Sequence, residues 1–125
     1  MKIVKNLLIA SAVSGLLVTS SFASHHGEKK VDLVAEGKKI FMTKKLGNCL
    51  ACHDVNGMKL DGPGSFGPKL AYLSGYPEDT LYDFVYDIYA AKGITGDTAM
   101  PAFGATGILD DKEIKAVVAF LKTIN

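Results

Sequence analysis

Two cysteines three positions apart, with a histidine directly after the second, constrain this chain more than any other feature. Cys49 and Cys52 are the two cysteines of the sequence, and His53 follows at once. Residues three apart on a helical turn lie on the same face, so both thiols can reach one ligand. The pattern Cys-x-x-Cys-His is the attachment sequence of c-type haem. The spacing therefore predicts one covalently bound haem c, with His53 as an iron ligand.

Two other uses of a close cysteine pair are a structural disulfide and a thioredoxin-like redox centre. A redox pair of that kind belongs to a βαβ context, and no strand pattern accompanies this one. A disulfide would give no role to the adjacent His53. Both alternatives are therefore weaker than haem attachment.

The first residues carry the pattern of a secretory signal peptide. Lys2 and Lys5 precede an uncharged apolar run from Leu7 to Val18, and small residues flank a cleavage position after Ala23. Twelve apolar residues are too few to span a bilayer comfortably, since about 20 are needed. We expect residues 1–23 to be removed, leaving a periplasmic protein without a stable membrane anchor.

Length and charge limit the rest of the chain. Its 125 residues suffice for one domain, which we place at residues 32–125 behind a flexible tail at 24–31. All fourteen basic residues are lysines, they are balanced by thirteen acidic residues, and the formal net charge is +1. A chain this close to neutral does not have the excess of basic residues that is typical of nucleic-acid-binding proteins. A core this small is often supported by a bound cofactor.

Apolar periodicity predicts three helices separated by glycine-rich loops. The first has Asp32 as N-cap and ends near Gly47, and the second runs from Pro77 to Gly93. The last starts at Asp110, where Glu113 three residues later resembles a capping box. A long loop without periodicity is unusual in a small domain unless something fills the space beneath it. The expected fold is therefore all-α, with about three main helices and long loops around one haem.

Three apolar positions suggest how the first and last helices pack. Gly37 and Phe41 on the first helix, and Phe120 on the last, can make a close crossing. Met42 also falls on the apolar face of the first helix, and we expect it in the core.

The second iron ligand is expected to be Met100. It lies in a loop and precedes Pro101, which restricts Met100 to extended backbone and helps present its side chain. Met58 follows the motif too closely to reach the opposite side of the haem, and His25 and His26 are the competing ligands. A six-coordinate iron suits electron transfer, whereas a labile sixth position would suit a haem-based sensor.

Residues after the motif are candidates for supporting contacts. Pro68 and Leu70 should pass the His53 side of the haem, where a main-chain carbonyl can accept the other imidazole N–H. Four aromatic residues are expected either in the haem crevice or in the general core: Tyr72, Phe84, Tyr89 and Phe103.

These motifs resemble the class I cytochrome c family over the whole chain after the signal peptide. The resemblance rests on Gly37-x-x-x-Phe41, Cys49 to His53, Gly67-Pro68-x-Leu70 and Met100-Pro101. Within that family, three loop stretches are most similar to the SoxX subunits of bacterial sulfur-oxidation systems: residues 47–53, 63–68 and 100–109. Ala102 departs from the family pattern, in which a basic residue commonly follows the Met-Pro pair.

The resemblance implies a partner and a role. SoxX-like chains pair with a larger c-type cytochrome, SoxA, in a heterodimer similar to an L-cysteine S-thiosulfotransferase, which joins thiosulfate to a carrier-protein cysteine. The sulfur chemistry would lie on the larger subunit, so no catalytic residues are expected here. This chain would accept electrons and pass them to a downstream acceptor. The alternative is a free-standing periplasmic electron carrier between respiratory complexes.

Overall fold

The computed structural model describes residues 26–96 and 98–125. All regular secondary structure in these residues is helical, and loops connect the helices. Its helices are α1 (His26–Met42), α2 (Glu78–Tyr86), α3 (Ile88–Lys92) and α4 (Asp111–Leu121), with short 3₁₀ turns at Cys49–Ala51 and Leu73–Gly75. The described residues contain no strand, only an isolated parallel bridge between Val55 and Leu70. None of the described helices is long and apolar enough to cross a membrane. The predicted signal peptide and His25 lie outside the described residues.

The crossing of α1 and α4 organises the core. Gly37 lies so close to α4 that a Cβ atom would overlap the main-chain carbonyl of Ala116. Next to this contact, the rings of Phe41 and Phe120 pack edge to face with centroids 5.3 Å apart. Both rings are almost fully buried, and each such burial contributes about 1.5–3 kcal/mol. The predicted crossing is therefore confirmed.

The remaining core side chains come from α1, α2, α4 and the irregular segments, and among the described residues none of the buried core side chains lies on α3. Leu81 and Val85 of α2 pack against α4, and Val55 and Leu109 come from irregular segments. Met42 is 39% exposed, so the prediction that it packs in the core is wrong. It is the last residue of α1, and the buried positions at that end are taken by Ile40 and Phe41.

Three helix boundaries differ from the predictions. Helix α1 ends at Met42 and not near Gly47. Helix α1 starts at His26, so Asp32 is not its N-cap; residues 28–30 are Glu-Lys-Lys, which favour helix and extend it into the expected tail. The second predicted helix is two helices, because Asp87 adopts extended backbone. Its carboxylate accepts the N–H groups of Tyr89 and Ala90 and so starts α3 as an N-cap.

The start of α4 follows the prediction. Asp110 accepts the N–H of Glu113 at 2.8 Å, and the Glu113 carboxylate accepts the N–H of Asp110 at 2.9 Å. This reciprocal capping box satisfies two main-chain donors that a helix otherwise leaves free. It fixes where α4 begins and thus which of its residues face α1.

Candidate haem-binding site

The Cys-x-x-Cys-His motif forms one tight turn, which a short loop separates from the end of α1 at Met42. The N–H groups of Cys52 and His53 both donate to the carbonyl of Cys49, at 3.1 and 2.9 Å. Asn48, just before the turn, has a left-handed backbone with φ of 51°. These contacts wind the motif so that all three of its side chains reach one cavity.

That cavity has a volume of about 510 Å³ and lies between the motif turn and the loop that follows α3. Cofactor sites typically occupy about 300–1,000 Å³, so the size is suitable. The cavity brings together Cys49, Cys52, His53 and Met100, which are far apart in the sequence. Its other walls are mostly apolar and include Phe66, Pro68, Ile88, Ile94, Pro101 and Phe103.

The two cysteines are free thiols, not joined in a disulfide. Burial raises the pKa of the Cys49 thiol to about 11, since desolvation disfavours its charged form. Before haem is attached, this thiol is therefore uncharged at neutral pH.

A main-chain carbonyl orients His53. Its Nδ1 lies 2.7 Å from the carbonyl oxygen of Pro68. A carbonyl only accepts, so Nδ1 carries the proton and donates it. This tautomer leaves the Nε2 lone pair free for a metal. The contact expected near Gly67-Pro68 is thus present, and it is made by the main chain of Pro68.

The loop before Pro68 packs its main chain onto the motif turn. The N–H of Gly64 donates to the Leu50 carbonyl, and the N–H of Gly67 donates to the Cys52 carbonyl, each at 2.8 Å. A Cβ atom on Gly67 would lie 2.5 Å from Cε1 and 2.8 Å from Nδ1 of His53. The absence of a side chain at Gly67 is therefore what lets the imidazole occupy its position.

Leu70 supports the site from outside the cavity. It does not line the cavity. Its N–H donates to the Asp54 carbonyl and its own carbonyl accepts from Asn56, both at 2.8 Å. Leu70 thus fixes the chain directly after His53. The other methionines considered, Met42 and Met58, do not line the cavity either.

Of the four aromatic candidates, only Phe103 lines the cavity. Tyr72 is 75% exposed, and Phe84 packs against Tyr76 beneath the ammonium of Lys92. Tyr89 has a different role, because its hydroxyl is bonded to the main chain of Thr98 in the loop that carries Met100.

Some wall residues were not predicted from the sequence. Ile88 and Ile94 line the cavity from α3 and from the loop after it, and Thr98 and Ala99 precede Met100. No motif marks these positions. The signal that could have indicated them is their position, because they lie on α3 or in the short segment between its end at Gly93 and Met100.

The donor set suits a haem. An apolar cavity of this size, with two thiols, an imidazole nitrogen and a thioether sulfur at its walls, offers each contact that a covalent haem requires. When bound, haem supplies a one-electron iron couple. The residues of the chain hold it, orient its histidine ligand and surround it with apolar groups.

Comparisons with known proteins agree with this chemistry. A family model described as Cytochrome c matches residues 34–125. Two curated relatives, each named cytochrome c homolog, come from Rickettsia felis and Rickettsia conorii. Each is 30% identical over 90 residues, which covers 60% of this chain and 50% of the relative. The chain thus spans about half the length of the curated relatives it matches.

A solved structure gives a more specific likeness. A chain in the crystal structure of SoxXA from P. pantotrophus is 31% identical, with a TM-score of 0.60 over 71% of this chain and 79% of the other. The family match, the all-helical fold and the haem-attachment motif agree. The chain belongs to the cytochrome c family: it is a class I c-type cytochrome resembling SoxX, with one covalent haem c.

Proposed function

We propose that this cytochrome is the electron-accepting subunit of a periplasmic thiosulfate-oxidising complex, in which it binds a larger SoxA-like cytochrome. The observation that carries the proposal is the likeness to SoxXA, at 31% identity and a TM-score of 0.60. The curated relatives, named cytochrome c homologs, support electron carriage only.

Within the site, we assign Cys49 and Cys52 to the two thioether bonds and His53 and Met100 to the iron. His53 would bind through Nε2, because Nδ1 donates to the carbonyl of Pro68. Methionine ligation favours reduced iron and so raises the reduction potential. A chain built this way is suited to take electrons from a substrate-oxidising partner.

The chemistry assigned to the complex needs such an acceptor. When a carrier thiolate is joined to thiosulfate, a sulfur–sulfur bond forms and two electrons are released. The two cysteines of this sequence are both at the haem site, which leaves none to carry sulfur. The role left to this chain is to remove those electrons one at a time and deliver them to a downstream acceptor.

Apolar side chains at the edge of the cavity support a lasting partner. Phe66 is 78% exposed and Ile94 is 40% exposed before haem is counted, and both line the cavity, so bound haem would cover part of each side chain and leave the outer part at the surface. Exposed apolar groups beside a functional site are typical of protein–protein contacts. Partner binding here would also bring the second cytochrome close to the electron-carrying group.

The test is a pull-down with the haem-loaded protein. The tagged protein is mixed with the periplasm of thiosulfate-grown cells, and the bound fraction is stained for covalent haem after denaturing electrophoresis. We expect a larger c-type cytochrome in a fixed ratio, and we expect thiosulfate with the carrier protein to reduce the recovered pair. A Phe66→Ser variant should recover less partner. Tyr72→Ser is the matched control, since Tyr72 is 75% exposed but does not line the cavity.

Recovery of the tagged protein alone, or of a pair that thiosulfate does not reduce, would contradict the proposal. The protein would then be a free-standing electron carrier between respiratory complexes. Equal loss of partner in both variants would mean that the complex forms but that its contact does not lie at the cavity edge.

A further inference from the structure

The hydroxyl group of Tyr89 makes two hydrogen bonds to one residue of the loop before Met100. It donates to the Thr98 carbonyl at 2.7 Å and accepts the Thr98 N–H at 3.1 Å. Tyr89 lies on α3, so these bonds join the loop to a helix. The ring itself does not line the cavity, whereas Thr98 does.

A third hydrogen bond continues from Thr98 to Met100. The Thr98 hydroxyl donates to the Met100 carbonyl at 3.2 Å. Together the three bonds form a chain from Tyr89 through Thr98 to Met100, which we call the Tyr89 clasp. It acts on the main chain at Met100 and leaves the thioether sulfur free.

Among the described residues, few other hydrogen bonds hold this loop, and Met100 also packs against the core. Helix α3 ends at Gly93, whose backbone is left-handed with φ of 60°, and Ile94 donates its N–H to the Tyr89 carbonyl at 2.9 Å. Among the described residues between 95 and 101, no main-chain to main-chain hydrogen bond is made. A loop so lightly held gains conformational entropy when a restraint is removed. Within the described part of the loop, the three bonds of the Tyr89 clasp are its main hydrogen-bonded restraint.

We propose that Tyr89 is a positioning residue that keeps Met100 in place at the sixth coordination position of the iron. The proposal rests on the assignment of Met100 as iron ligand made above. Without the clasp, the loop samples more conformations, and the fraction of time for which Met100 is bound falls. External ligands then gain access to the iron, because the apparent affinity of a site scales with the population that is open.

The test uses the haem-loaded Tyr89→Phe variant, which keeps the ring and removes only the hydroxyl. Carbon monoxide binding to the reduced protein is the main readout, and the methionine-to-iron charge-transfer absorption of the oxidised protein is the second. Loss of two neutral hydrogen bonds should raise the apparent carbon monoxide affinity about tenfold. The charge-transfer absorption should weaken in parallel.

Tyr82→Phe is the matched control. The Tyr82 hydroxyl donates to Asp111 at 3.0 Å, away from the cavity, so its loss removes a tyrosine hydrogen bond without touching the loop. A Thr98→Val variant removes the third bond but keeps both bonds to Tyr89. It should raise the carbon monoxide affinity about threefold. Thr98→Val also tests the clasp if Tyr89→Phe does not mature with haem.

Two failures are distinguishable. If Met100→Ala keeps the charge-transfer absorption, the ligand assignment is wrong and the clasp has no ligand to position. If Met100→Ala loses that absorption, but Tyr89→Phe and Thr98→Val bind carbon monoxide no better than Tyr82→Phe, then the ligand assignment stands and the clasp is overturned.

Discussion

Replacement of Gly67 by alanine tests how the loop main chain holds the histidine. The new Cβ atom would lie 2.5 Å from His53 Cε1, 2.8 Å from Nδ1 and 2.9 Å from Nε2. Real Cβ atoms do not approach other atoms so closely, so the ring or the loop must move. The ring is held by its bond to Pro68 and by the motif turn, and the loop is held by the Gly67 N–H bond to Cys52.

Either movement has a cost that can be estimated. Overpacking of a fixed site costs about 1–3 kcal/mol. Loss of the hydrogen bond from His53 Nδ1 to the Pro68 carbonyl adds about 1 kcal/mol. We therefore expect Gly67→Ala to lower the free energy of unfolding of the haem-loaded protein by about 2–4 kcal/mol. Its reduction potential should also rise, because the donated hydrogen bond makes the imidazole a stronger donor to oxidised iron.

The assays are denaturant unfolding followed by haem absorption, and redox titration of the same samples. Gly75→Ala is the matched control, since a Cβ atom there would meet nothing within 4 Å. It should change stability by less than about 1 kcal/mol. If Gly67→Ala unfolds at the same denaturant concentration as Gly75→Ala and keeps the wild-type potential, the steric account of the loop is refuted.

Three further results are expected. Gly37→Ala should force α1 away from the Ala116 carbonyl and lower the free energy of unfolding by about 1–3 kcal/mol, as measured by thermal or denaturant melts; an unchanged melt would contradict the close helix crossing. Met100→Ala should lower the reduction potential in a redox titration and abolish the six-coordinate low-spin spectrum, because the ligand that favours reduced iron is lost. The hydrogen bond from Lys69, at 3.0 Å, is the main cause that lowers the pKa of Asp54. The ionised carboxylate therefore stabilises the fold above the usual carboxyl pKa, and this stabilisation is lost when acid protonates Asp54. Lys69→Met should therefore make the free energy of unfolding fall less steeply below about pH 4. An unchanged dependence on pH in that range would show that the Asp54–Lys69 pair does not contribute to stability.

The sequence predicted the features that repeat over several residues or follow a strict spacing. The α1–α4 crossing was predicted from the spacing of Gly37 and Phe41, and the capping box at Asp110 from the acidic residue three positions later. The motif residues and Met100 line one cavity, and their assignment as haem-binding residues stays a prediction.

Features that depend on single side chains were not predictable. The break at Asp87 arises because a carboxylate competes for main-chain N–H groups, which periodicity does not reveal. The exposure of Met42 depends on where α1 ends, and the role of Leu70 depends on main-chain pairing with Asp54 and Asn56. The link from Tyr89 to Thr98 needs coordinates, because a tyrosine in a helix has the same pattern whether its hydroxyl is bonded or solvated.

The loop from Pro63 to Pro68 holds His53 through its main chain, so its side chains are not needed for that contact. The glycines and carbonyls that touch the motif are fixed by geometry, whereas the side chains of Ser65 and Phe66 are exposed. Ser65 does not line the cavity, so its side chain is free of both the histidine ligand and the haem wall, whereas Phe66 lines the cavity. The same short loop therefore offers one surface position that is independent of the redox centre and one that belongs to both the surface and the centre.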